Sequence, residues 1–121
     1  MEYIKNELGD TIGEKLGVKI VRLLSGEELL AEVTIDYAKI GPTLKAPVII
    51  HIVPDPVSQK ANIAMTDWLP YMATDTVDIN STAVVTIVDP QEPFIEYWNK
   101  NFGQKKSNLI VPKKPGLVGV K

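Results

Sequence analysis

The chain has 121 residues and no cysteine, with 13 Lys plus Arg against 15 Asp plus Glu. That length suits one domain able to bury a core unaided, and the missing thiols exclude a disulfide framework, a cysteine nucleophile and thiolate metal sites. The charge is uneven: residues 1–103 hold all 15 acids with eight of the 13 cations, a net of −7, while 104–121 hold five lysines and no acid.

Met1 to Leu16 places Ile4, Leu8, Ile12 and Leu16 four residues apart, a spacing that predicts a short amphipathic helix. Gly9 and Gly13 weaken it, each costing about 1 kcal/mol relative to Ala in a helix interior. No uninterrupted apolar run opens the chain, so neither a secretory leader nor a membrane anchor is expected. A soluble, cytoplasmic protein is the expectation.

Val18 to Thr34, VKIVRLLSGEELLAEVT, reads as two strands over 18–24 and 28–37 joined by a tight turn. Apolar residues alternate on both sides, Gly26 supplies backbone freedom, and Ser25 can bond its own backbone. Asp36 to Pro42 is then a loop with turn chemistry at Gly41-Pro42. In that loop Tyr37 reads, from the residues alone, as a half-buried side chain with a hydrated hydroxyl.

Leu44 to Val53 is a third strand, with Pro47 marking an edge or bulge. His51, the only histidine, sits among isoleucines and reads as a strand residue with one hydrogen bond. Ala61 to Met72 is a fourth strand, interrupted at Pro70, with Trp68 and Tyr71 placed in the core or a subunit contact in preference to an aromatic binding surface. Val77 to Ile79 and Ala83 to Val88 bracket a polar turn, Asn80-Ser81-Thr82, read as a hairpin turn. Asn80 and Ser81 can bond a base edge or a sugar hydroxyl. Gln91 to Phe102 predicts a helix, with Pro93 in its first turn, Gly103 as its stop, and an apolar face of Phe94, Ile95, Trp98 and Phe102. The lysine-rich 104–121 is a basic, flexible tail, able either to reach phosphates through Lys105 and Lys106 or merely to solubilise.

Catalytic chemistry finds little material. One histidine and no cysteine leave no nucleophile–base pair, and neither a phosphate-binding glycine loop nor a dinucleotide fingerprint is present. Aspartates in or near loops keep a carboxylate nuclease as a minor reading, although their spacing matches no metal loop. The chain is therefore read as no enzyme, with no catalytic residue, metal ligand or cofactor.

The spacing from Leu23 through Gly26, Leu29, Ala31 and Val33 resembles the first motif of the Sm-like family, small RNA-binding barrels that include the Hfq, Sm and LSm proteins. Val77 to Val88, VDINSTAVVTIV, resembles the second. The resemblance covers residues 18–89, and the chain also resembles divergent Sm-like proteins of marine cyanophage, which would place it in a host cytoplasm. It implies a mainly β fold: a small five-stranded, strongly bent antiparallel barrel over residues 1–103, with a short N-terminal helix and a C-terminal helix. It further implies a homo-oligomeric ring closed through strands 61–72 and 83–88. Single-stranded RNA or DNA would bind at Tyr37, Lys39, Asn80 and Ser81, aided by Lys105 and Lys106. Two departures stand out. Ala31 occupies a position usually held by glycine, and Asn80-Ser81 replaces the usual arginine and glycine. A structural or adaptor ring that binds a protein partner without nucleic acid is the alternative, favoured by the acidic body and the missing arginine-glycine turn.

Overall fold

Described over residues 2–103, the computed structural model places the Val18–Thr34 hairpin inside a longer antiparallel sheet. Its strands are β1 (Glu2–Lys5), β2 (Thr11–Leu23), β3 (Glu28–Asp36), β4 (Pro42–Pro54), β5 (Ala61–Asp67), β6 (Thr76–Asp78) and β7 (Val84–Val88), followed by helix α1 (Glu92–Trp98) and a π turn at Asn99–Gly103. The mainly β character and the C-terminal helix agree with the sequence. The readings for 104–121, Lys105 and Lys106 included, lie outside the described residues.

Seven strands form where five were expected, and the N-terminal helix is replaced by a β1–β2 hairpin. Gly9 sits at φ +87°, outside helical space, in a turn where the Asn6 side chain accepts from the backbone N–H of Leu8 and Asp10. A four-residue apolar spacing also carries less weight when Leu8 is 85% exposed and contributes nothing to a core. The cross-strand ladder of β2, unlike a helix broken by glycine, satisfies the backbone of both partners.

The central strands run β2–β3–β4, and each outer strand covers only part of its neighbour. β1 takes the start of β2 and β7 takes its end, while β6 takes the start of β4 and β5 takes its end. This arrangement forces curvature. Asp78 of β6 lies on the cross-strand row of Thr43, Thr34 and Lys15, whereas Val84 of β7 pairs with Leu23 at the far end of β2. On a flat sheet those positions would lie roughly 30 Å apart, from four inter-strand spacings and about eight residues of strand. The chain from Asp78 to Val84 reaches at most about 21 Å. The sheet therefore curls, and the 3₁₀ turn Ser81–Ala83 carries the chain across it. The expected hairpin at Asn80–Thr82 is thus a crossing corner: β6 and β7 pair with β4 and β2, not with each other.

The bend has a local signature. The β3–β4 ladder breaks its register between Leu30 and Glu32, at Ala31, opposite the segment where Ala46 adopts φ +50° and Pro47 lacks an N–H. Pro47 marks a bulge, as expected. Ala46 N–H instead donates to Asp75 O at 2.7 Å.

Two cores result. Val21, Leu23, Leu29, Ala31, Val33 and Leu44 fill the concave side, with Trp68, Val77, Ile79 and Ile87 packed against them. Leu30 and Val48, on the other face, are covered by Trp98 of α1 with Phe94 and Phe102. The Trp98 indole N–H donates to Ala46 O at 3.0 Å, so the helix is pinned to the bulge. Trp68 packs as expected, but the strand ends before it, and Tyr71 is 94% exposed. His51 makes one bond, to Thr66 Oγ1 at 3.2 Å.

Candidate nucleic-acid interface

The loop after β3 is built by its first residue. The Asp36 carboxylate accepts from Ala38 N–H, and Asp36 O accepts from Lys39 N–H, both at 2.9 Å. The side chain thereby shapes the turn, a use that aspartate favours. At Gly41 the backbone then passes so close to Ile79 O and Ser81 N that a Cβ there has no room. Ile79 N–H donates to Pro42 O, and Ser81 N–H to Ile40 O, each at 2.9 Å. The curl of the sheet thus welds the loop after β3 to the corner before β7.

Asn80 caps that corner: its Oδ1 accepts from both the backbone N–H and the hydroxyl of Thr82 at 2.9 Å. Between the two segments lies an open pocket of about 380 Å³ lined by Lys39, Gly41, Asp78 and Asn80, among others. Lys39 Nζ lies 3.2 Å from Asp78 Oδ1, and the Thr43 hydroxyl donates to the same oxygen at 2.6 Å. The Thr43 bond, then Lys39, hold the Asp78 carboxyl below its ordinary pKa.

Of the residues predicted from sequence, Lys39 and Asn80 meet in this pocket, and Ser81 joins the weld through its N–H. Tyr37 is half exposed but stands apart from the lining. Its hydroxyl donates to Glu14 Oε2 on β2 at 2.7 Å, a bond that raises the phenol pKa. Thr43 was not singled out and Gly41 only as a turn residue, because their partners lie more than 30 residues away in sequence. Asp78 could not be recognised as the partner of Lys39, since 39 residues separate the two.

A second cavity of about 150 Å³ sits beside the bulge, between Ala46, Leu69, Met72, Asp75 and Phe102. Among the described residues, no group of three or more His, Asp or Glu is placed to hold a metal ion. Nor is any helix there long and apolar enough to cross a membrane. Comparison of the chain with protein-family models and with curated proteins finds no match in either.

Proposed function

We propose that the protein is a nucleic-acid-binding ring of Sm-like type, holding single-stranded RNA or DNA where the loop after β3 meets the corner before β7. The observation that carries this reading is the weld at Gly41. It brings the two segments that the Sm-like resemblance assigns to base recognition into one pocket, although about 40 residues separate them. The curled sheet also suits a small barrel of that type.

The outer edges of β5 and β7 pair with nothing among the described residues. Ile63 on β5 and Val85 and Val88 on β7 are about half exposed. An unpaired edge invites a strand from another copy, and joining β5 of one protomer to β7 of the next would repeat around an axis. Bases would enter the pocket, Tyr37 would stack a neighbouring base, and the lysines after residue 103 would attract phosphates from outside the acidic body.

The test is fluorescence anisotropy with labelled single-stranded RNA and DNA at low and moderate salt, with light scattering on the same sample. Binding by an oligomer, weakened by Tyr37→Ala without loss of the oligomer, supports the reading. An oligomer that binds neither nucleic acid at low salt contradicts it. One observation favours the second reading, a ring that binds a protein partner: Asp78 neutralises Lys39, the cation of the pocket. That reading predicts an intact ring with no affinity for either strand.

A further inference from the structure

The charged pair in the pocket offers a donor and an acceptor side by side. Asp78 Oδ1 takes both bonds, from Lys39 Nζ at 3.2 Å and Thr43 Oγ1 at 2.6 Å. Oδ2 accepts no hydrogen bond among the described residues, and the Asp78 side chain is 58% exposed, open to a ligand. Asn80 has its carbonyl committed to Thr82, which leaves its amide N–H groups to donate. Asp78 is ionised at neutral pH as any ordinary aspartate is, and its bonds from Thr43 and Lys39 favour that charged form further.

A carboxylate repels phosphate, so a nucleic acid must approach this pocket through a base edge. A carboxylate best accepts two parallel N–H groups. Guanine alone among the common bases presents two adjacent N–H donors, N1–H and N2–H, on its Watson–Crick edge, with the O6 acceptor beside them. Uracil flanks its single N–H with carbonyls, and adenine and cytosine set a ring nitrogen lone pair beside their amino group. Each of these would face the second carboxylate oxygen with a lone pair, a repulsive element that rejects the wrong partner.

We propose that this pocket selects guanine, with Asp78 accepting N1–H and N2–H and Lys39 moving from Asp78 to donate to O6. The Lys39–Asp78 pair is exposed on both sides and solvent-screened, so it opens at little cost. The assignment rests on the nucleic-acid reading above and names the base that reading leaves open.

The experiment is an anisotropy titration of the full chain with uridine oligomers carrying one central U, A, C, G or inosine. Inosine keeps O6 and N1–H but lacks the N2 amine. The guanine oligomer is expected to bind about tenfold tighter than the other four, the discrimination of one bidentate contact. Asp78→Asn, which retains an acceptor for Thr43, is expected to erase that preference, read as the ratio of guanine-oligomer to uridine-oligomer affinity falling to about one. Competition by GMP and not IMP extends the same recognition to the free nucleotide; guanine preference without competition assigns it to the strand. Equal affinity for all five oligomers, or a guanine preference indifferent to Asp78→Asn, overturns the assignment while the nucleic-acid reading stands. Binding of none overturns both.

Discussion

Gly41 is where a single atom decides the site. A methyl group there would run into Ile79 O and the Ser81 N–H, both backbone and unable to swing aside. Gly41→Ala should therefore cost about 1–3 kcal/mol, as overpacking does, read as a lower midpoint in urea denaturation. It should also loosen the pocket. Three carboxyls act on stability through pH: Asp55, bonded by Ser58; Asp78, bonded by Thr43 and Lys39; and Asp89, bonded and ion-paired by Lys19. All three have folded pKa values below their unfolded ones, so their contribution is complete above about pH 4 and fades as pH falls through the lower folded values. The melting temperature should fall on acidification below pH 4, and the fall should be shallower in Asp78→Asn. At this scale the sequence showed the Gly26 turn, the Pro47 bulge and the lone His51. It showed Gly41 only as a turn residue, because the tight contact with Ile79 is created only by the curled sheet.

Among the elements, strands were legible where period-two alternation is sustained, in β2 from Val18 onward, β3 and β4, and the helix where Phe94, Trp98 and Phe102 share a face. Residues 1–16 misled because a four-residue apolar spacing fits a helix while Gly9 and Asn6 build a turn. The corner before β7 misled because two short strands flanking a polar turn resemble a hairpin until their partners on β4 and β2 are known. Trp98 is the residue of helix α1 that is buried. It is 3% exposed, closes the core over Leu30 and Val48, and bonds Ala46 O. Trp98→Ala should cost about 3–5 kcal/mol, and Trp98→Phe, which loses the indole bond but keeps an aromatic ring, distinctly less. Chemical denaturation of both variants measures the two parts.

For the whole molecule, composition already separates an acidic body from a lysine-rich terminus, and that separation sets how it meets a polyanion. Removing residues 104–121 takes away five positive charges and no negative one. In the nucleic-acid reading, affinity should drop at low salt and the plot of log affinity against log salt should flatten, because fewer counterions are released. Base preference, which belongs to the pocket, should survive. Curvature entered the reading of the sequence only through the Sm-like resemblance, without its physical cause. It follows from the reach of the chain between Asp78 and Val84, a constraint visible only with the strand register.

The most direct test of the account is photo-crosslinking of the full chain to oligomers carrying a photoreactive base, with the attached peptides identified by mass spectrometry. Crosslinks are expected in residues 37–41 and 78–81 together, with their loss when an unlabelled oligomer competes. Crosslinks confined to other surfaces, or none under conditions where the oligomer is bound, would contradict it.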